Sequence, residues 1–268
     1  MLHAPLNLKK ARVLICNDDG IDAKGIKLLE KIARPLAGEL WVVAPATEQS
    51  ATGHSLSLRT PIRIKKRGPR RFAVSGTPTD CVLLAVNQIM KECKPDLVLS
   101  GINQGRNVGE DMTYSGTIAA AMEATLFGIP AIAFSQATDG DTGSVTGRLN
   151  FGPAEKWCAR VIRKLVTVDW PRDVLMNVNF PNAPAAKVTR IEVTREGRQK
   201  LGDEIIESFD PRGEPYYWIG AMRHRPGGHP AGTDLQAMEM GAVSVTPLSL
   251  DLTHRPTMKK LKGVFEGK

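Results

Sequence analysis

Four short apolar runs limit the folds open to this chain, because each is short for a helix and none alternates apolar with polar residues. They span residues 13–16, 40–45, 97–100 and 131–135. Such runs are typical of strands buried on both faces of a parallel sheet. Apolar residues recur at helical spacing between them. The alternation predicts an α/β fold of three layers around a mostly parallel sheet.

Two adjacent carboxylates, Asp18 and Asp19, follow the first predicted strand and precede Gly20. In open α/β sheets, ligands bind at the carboxyl ends of the strands. Oxygen ligands at such a position suit Mg²⁺ or Mn²⁺. Neighbouring carboxylates repel each other, and their burial is costly unless a cation or hydrogen-bond donors compensate. A helix N-cap followed by a first-turn acid is the alternative that the pair leaves open.

Polar loops also follow the next two buried strands. Residues 46–55 are rich in hydroxyl and amide groups. For Ser50 among them, metal binding, helix capping and solvent contact are three alternative roles. Residues 101–111 contain three glycines, which permit close approach of backbone N–H groups to a ligand. A plain long turn is the alternative for that loop. Because three strand ends converge on one edge, they predict a functional site there.

Two helix starts carry hydroxyl groups. Thr77 or Thr79 is expected to cap one helix, with Pro78 in its first turn. Ser115 and Thr117 begin a helix of small residues. A helix amino terminus of this kind also suits an anion.

The remaining chain departs from this regular alternation. Residues 56–64 alternate and predict an antiparallel edge strand, and the basic run 65–71 predicts its hairpin turn. After residue 188, short strands separated by long loops predict an extended β arm that pairs with a second subunit. We therefore expect an N-terminal extension (1–11), an α/β core (12–186), a C-terminal β-rich arm packed on the core (187–258) and a basic tail (259–268).

Composition indicates which partners and which compartment suit this protein. The 268 residues carry a net charge of +8, which favours anionic partners. Aromatic residues do not interleave the basic run, so a solvated turn is favoured there over nucleic-acid binding. The four cysteines are scattered and predict neither disulfides nor a zinc site, which favours the reducing cytoplasm. No apolar stretch is long enough to span a membrane.

Five motifs in order resemble the SurE family of survival-protein nucleotidases. They are the Asn-Asp-Asp-Gly of residues 17–20, the Val-Ala-Pro of 43–45 with Ser50, residues 76–81 (GTPTDC), residues 100–107 (SGINQGRN) and residues 114–117 (YSGT). The resemblance extends from about residue 12 to 253. Residues 52–55 differ in detail from the family pattern, which leaves the loop shape and substrate preference open.

The resemblance implies a Rossmann-like core and one divalent metal ion, Mg²⁺ or Mn²⁺, in each subunit. The implied metal ligands are Asp18, Asp19, Ser50 and Asn103. The residues implied around the phosphate are Gly105, Asn107, Ser115, Gly116 and Thr117. It also implies a homodimer or homotetramer built through C-terminal segments, in agreement with the arm predicted above.

The activity implied is that of a 5′-nucleotidase, which hydrolyses nucleoside 5′-monophosphates, with 3′-monophosphates as further candidate substrates. Asp18 or Asp19 is the expected acceptor of a proton from the attacking water. A nucleotide-binding module without turnover is one alternative. A metal-dependent amide hydrolase is another, but that chemistry favours histidine ligands, and among the histidines His54 alone lies in a candidate loop.

Overall fold

The computed structural model describes residues 4–138, 149–199, 205–219 and 228–267. Within these ranges a nine-stranded sheet has the order β3-β4-β2-β1-β5-β6-β7-β11-β8, and β9 pairs with β10 alone. The strands are β1 (Arg12–Cys16), β2 (Glu39–Pro45), β3 (Ile64–Gly68), β4 (Arg71–Val74), β5 (Leu97–Gln104), β6 (Ala131–Gln136), β7 (Val174–Phe180), β8 (Ile191–Val193), β9 (Ile205–Phe209), β10 (Pro215–Ile219) and β11 (Val243–Ser249).

The central strands of this sheet run parallel, as the apolar runs predict. β4, β2, β1, β5, β6 and β7 form one continuous parallel block. β3 is antiparallel to β4 at one edge, and β11 is antiparallel to β7 near the other. The predicted α/β class with a mostly parallel sheet is therefore confirmed. The carboxyl ends of β1, β2 and β5 meet at one edge, which positions the loops that follow them.

Helices cover both faces of the sheet. They are α1 (Lys24–Ala33), α2 (Pro78–Leu84), α3 (Gly116–Leu126), α4 (Gly152–Leu165), α5 (Asp234–Glu239) and α6 (Arg255–Phe265). α1 and α4 pack with one apolar cluster of the sheet, and α2 and α3 pack with another on the opposite face. Thr77 caps α2 in a reciprocal capping box with Asp80, and Ser115 caps α3. None of the helices in the described ranges is long and apolar enough to cross a bilayer.

The antiparallel edge strand is present as β3, but its predicted bounds, residues 56–64, are wrong. The chain enters the sheet only at Ile64, and the basic residues expected in a turn form β3. The turn lies later, at Pro69 and Arg70. Before Ile64 the backbone is held by a side chain instead, since the N–H of Ser57 donates to a carboxylate oxygen of Asp80 at 3.1 Å. The alternating pattern thus belongs to a loop anchored on α2.

The C-terminal region divides into two kinds of element. β8 and β11, from the segment predicted as an arm, complete the large sheet. Every residue of β10 is exposed, and α6 contains no buried residue. α6 also shows that the predicted basic tail is helical through Phe265. The elements left exposed are therefore the β9–β10 hairpin and the last helix.

Candidate functional site

Asp18 is a buried carboxylate fixed by the start of α3. It is only 4% exposed, and the hydroxyl of Thr117 donates to its Oδ1. The backbone N–H groups of Asp18 and Thr117 also donate to this carboxylate. Burial nevertheless raises the pKa of Asp18 above its ordinary value. The helix-cap alternative does not hold, because α1 begins later and its N-cap is Ala23.

Asp19 lies beside Asp18 but is only half-buried. The backbone N–H of Gln104, at the end of β5, donates to its carboxylate. Burial and the charge of Asp18 raise the pKa of Asp19 to about 7, and the charge of Glu48 adds to the effect. Two neighbouring carboxylates that resist joint ionisation are suited to a cation, which would let both remain charged.

Ser50 lies in the loop that follows β2, and this loop is tied to the carboxylate pair. The N–H of Gln49 donates to the backbone carbonyl of Asp18 at 2.8 Å. The exposed Ser50 hydroxyl donates to Glu48 Oε1 at 2.8 Å. A hydroxyl that donates its hydrogen keeps its oxygen lone pairs for a cation. Sequence reasoning missed Glu48, for which the only signal is a carboxylate two residues before Ser50.

Asn103 is placed by the last residues of β5 rather than by a free loop. Its amide nitrogen donates to the carbonyl of Gly105 at 2.9 Å. That bond fixes the orientation of the amide and leaves the side-chain oxygen as its acceptor atom. Its neighbour Gln104 contacts Asp19, so the end of β5 reaches the carboxylate pair.

Gly116 and Ser115 bring the start of α3 against Asp18. A Cβ atom on Gly116 would lie 2.7 Å from Asp18 Cβ and 3.0 Å from its Oδ2, closer than packed atoms allow. Ser115 Oγ accepts a hydrogen bond from the N–H of Ile118 at 3.1 Å. The Ser115 hydroxyl hydrogen therefore remains available as a donor. A helix start with such donors next to the carboxylates is suited to an anion.

Gly105 and Asn107 have other partners within the fold. The N–H of Gly105 donates to the carbonyl of Gln136 at 3.0 Å. The N–H of Asn107 donates to Asn179 Oδ1 at 2.8 Å, and its side-chain nitrogen donates to Ser135 Oγ at 2.8 Å. These bonds anchor the loop after β5 to the buried strands β6 and β7. Phosphate contact by Gly105 and Asn107 stays a prediction, and the structure more directly supports a role in shaping the loop.

His54 links the same polar loop to α3. Its Nε2 lies 2.9 Å from Glu123 Oε2, and the N–H of Gly53 donates to the carbonyl of Tyr114 at 3.2 Å. The histidine is thus bound to a side chain of α3, Glu123, rather than to the Asp18 and Asp19 pair. Among the described residues there is no group of three or more His, Cys, Asp and Glu side chains arranged to hold a metal. Any cation here would rely on two carboxylates and neutral oxygens, a set that hard cations accept.

The fold and these contacts define a class, an α/β protein with an acidic candidate site at the carboxyl edge of a mostly parallel sheet. The family model described as Survival protein SurE matches residues 13–203. The chain belongs to this family, in agreement with the resemblance of its motifs.

Relatives and a solved structure match nearly the whole chain. A protein named 5′-nucleotidase SurE from Paramagnetospirillum magneticum is 59% identical over 254 residues, 95% of each chain. One with the same name from Rhodospirillum rubrum is 50% identical over 98% of this chain and 100% of its own. The crystal structure of the SurE protein from Aquifex aeolicus aligns with a TM-score of 0.81 at 40% identity, over 94% of this chain and 99% of its own.

Proposed function

We propose that the protein is a 5′-nucleotidase, a divalent-metal-dependent phosphomonoesterase that converts nucleoside 5′-monophosphates to nucleoside and phosphate. The contact of Asp18 with Thr117 and Gly116 carries the proposal, because it sets a carboxylate pair against a helix start suited to phosphate. The names of relatives up to 59% identical support the same activity. Nucleoside 3′-monophosphates are further candidate substrates.

Asp18, Asp19, Ser50 and Asn103 would hold one Mg²⁺ or Mn²⁺ ion. The raised pKa values of the two aspartates fit this role, since each carboxylate is costly to ionise without a compensating positive charge. When bound, such an ion supplies polarisation of a phosphoryl oxygen and acidification of water. Two carboxylates with neutral oxygens favour Mg²⁺ or Mn²⁺ over zinc, which prefers histidine and cysteine.

The two aspartates differ in their freedom to take part in proton transfer. Asp18 is buried and held by Thr117, so its part is to stay ionised in a fixed position. Asp19 is half-buried and is the more accessible of the pair. We therefore assign Asp19 as the acceptor of the proton from the attacking water.

The start of α3 would hold the phosphate group. The hydroxyl hydrogen of Ser115 and the backbone N–H of Gly116 would face the negative charge that develops on the phosphoryl oxygens. Thr117 would act through Asp18, because its hydroxyl and its backbone N–H both donate to that carboxylate. The positive end of the α3 dipole adds to that stabilisation. Gly105 and Asn107 are kept as candidates for the outer part of the phosphate site, with their main contribution through the shape of the loop.

A panel assay tests the activity and separates it from its rivals. The expected result is phosphate release from AMP or GMP with Mg²⁺ or Mn²⁺, and its loss with excess EDTA. A binding module would bind AMP and release no phosphate. An amide hydrolase would instead release acetate from an N-acetylated sugar with Zn²⁺. Either of these last two results would overturn the proposal.

The exposed C-terminal elements support assembly into a homodimer or homotetramer. Phe209 is 63% exposed, Trp218 62% and Ile219 80%, all on the β9–β10 hairpin. An isolated two-stranded hairpin is marginally stable in water, and apolar patches of this kind mark interfaces. Light scattering should give two or four times the mass of one chain. A Trp218→Ser, Ile219→Ser protein should shift to a smaller species, and a monomeric wild type would contradict the assembly.

The four cysteines are free thiols, three of them buried. This supports placing the protein in a reducing compartment such as the cytoplasm.

A further inference from the structure

Four arginines line a cavity that the proposed activity does not use. The cavity has a volume of about 570 Å³ and lies between the second half of α1, the start of β2 and the turn between β3 and β4. The arginines are Arg34, Arg67, Arg70 and Arg71. Its volume lies within the range of about 300 to 1,000 Å³ that is usual for small-molecule sites.

The position of the cavity separates it from the candidate active site. Leu40 and Val42, in its wall, belong to the first half of β2, and Arg71 pairs with Val42 where β4 begins. Asp18 and Asp19, in contrast, follow the carboxyl end of β1. The residues that line the cavity come from residues 30–42 and 67–71, and although Arg71 and Arg67 reach Ile21 and Asp22 after β1, the candidate site residues Asp18 and Asp19 do not line it.

Two of the guanidinium groups are held in place by one shared carboxylate. Arg34 and Arg71 both pair with Glu30, whose side chain is 20% exposed. Arg71 also donates to the backbone carbonyl of Ile21 at 2.5 Å. One negative charge thus serves two positive charges, and Arg71 is oriented before any ligand arrives.

The other two guanidinium groups have partners close to the protein surface. Arg67 pairs with Asp22 at 3.1 Å, and Arg70 pairs with Glu39 at 3.3 Å. The Arg70 guanidinium also lies 5.5 Å from the ring centroid of Trp41, a contact that a ligand would have to share or replace. The side chains in both pairs are at least 41% exposed. Exposed ion pairs contribute little free energy, so a ligand in the cavity competes easily for Arg67 and Arg70.

The wall between the arginines is apolar. Leu40 and Val42 are buried side chains of the sheet, and Ala37 and Pro69 add aliphatic surface at the rim. A bare inorganic anion would leave this wall unused. The combination suits a ligand with an anionic end and a flat or apolar body.

We propose that this cavity is a second ligand site, which takes a nucleotide-sized phosphate ester. Guanidinium groups bind phosphate oxygens through paired, charge-assisted hydrogen bonds. Arg67 and Arg70 close on the phosphate from the β3–β4 turn, and Arg71 forms the fixed side of the site. The base or other apolar body lies against the aliphatic surface of Ala37 and Pro69, above the buried Leu40 and Val42. This inference does not depend on the activity proposed above.

ADP is the probe that tests the site. It is titrated calorimetrically into the full-length protein in EDTA. Wild type should bind ADP, and an Arg67→Gln, Arg70→Gln protein should bind it at least about tenfold more weakly, since two charge-assisted hydrogen bonds are lost. A Lys65→Gln, Lys66→Gln protein is the matched control, because it removes the same charge from the same hairpin at residues that do not line the cavity. Its affinity should stay within about twofold.

Hydrogen exchange then locates the bound ADP. Protection of amides in residues 30–42 and 64–74 supports the second site. Protection confined to residues 103–117 overturns it, because ADP would then occupy the candidate active site. Equal weakening in both double variants also overturns it, as does the absence of ADP binding by wild type. Binding of single-stranded RNA without ADP binding would replace the small ligand with nucleic acid and refute the proposal.

Discussion

Replacement of Asp19 by asparagine should stabilise the metal-free protein at alkaline pH. The pKa of Asp19 is about 7 in the fold, against an ordinary value of 3.8, because burial and the charge of Asp18 disfavour its ionised form. This raised pKa means that the stability is fully present below about pH 4 and is lost as pH rises through about 7. The amide of asparagine carries no charge and avoids that loss.

The size of the effect follows from the same pKa change. A difference of about three pKa units corresponds to roughly 4 kcal/mol at about 1.4 kcal/mol each. Because Asp19 is partly exposed, solvent screening lowers the expected gain to about 2 kcal/mol at pH 8. The gain should fall below about 1 kcal/mol at pH 4.5, because the carboxyl is still protonated in the fold and this pH lies less than one unit above its pKa of 3.8 in the unfolded chain.

Urea unfolding in EDTA at pH 4.5 and pH 8 measures this difference. Asp22→Asn is the matched control, since it changes an exposed carboxylate of the same loop and should give no pH-dependent gain. Saturating Mn²⁺ should stabilise wild type and remove the advantage of Asp19→Asn. The reasoning is refuted if Asp19→Asn is no more stable than wild type at pH 8, or if its gain is the same at both pH values.

Three further substitutions test separate contacts. Thr117→Val should lower kcat for AMP by tenfold or more, because Asp18 loses its hydroxyl donor, and Thr117→Ser should keep most of the wild-type rate. A phosphate-release assay measures the rate, and circular dichroism shows that each variant stays folded. Gly116→Ala should cost about a hundredfold in kcat/KM, since its methyl group would displace Asp18, and an unchanged kcat/KM would contradict that crowding. Burial alone would raise the pKa of Asp96, but hydrogen bonds and charge from Arg12 hold it below its ordinary value. Asp96→Asn should therefore cost about 1 kcal/mol of stability at pH 7, and this cost should disappear as pH falls through the lowered pKa. Urea unfolding midpoints at pH 7 and at a pH below that pKa measure the difference.

Local patterns in the sequence were sufficient for much of the fold. The four apolar runs mark strands of the parallel block because burial on both faces requires continuous apolar residues. Thr77 and Ser115 identify helix starts because capping is a local interaction within a few residues. The bounds of the edge strand predicted at residues 56–64 were wrong, because alternation alone does not reveal which residues have a neighbouring strand to receive their hydrogen bonds.

The candidate site depends on contacts that local patterns do not contain. The bond between Asp18 and Thr117 joins residues 99 positions apart. The motif order brings both residues to the same edge, but only the folded chain shows that a helix hydroxyl holds the carboxylate. The anchoring of Asn107 by Asn179 is hidden in the same way, since a buried strand asparagine has no distinctive local signal. Glu48 was missed because an acidic residue in a polar loop is ordinary by sequence.

Metal-dependent turnover by matched aspartate variants tests the central claim most directly. Phosphate release from AMP is measured with saturating Mn²⁺ for wild type, Asp18→Asn, Asp19→Asn and Asp22→Asn. The account predicts that the first two substitutions each reduce kcat by at least a hundredfold and that Asp22→Asn stays within about twofold of wild type. Near-normal turnover by Asp18→Asn and Asp19→Asn would contradict the assignment of this carboxylate pair as the centre of the reaction.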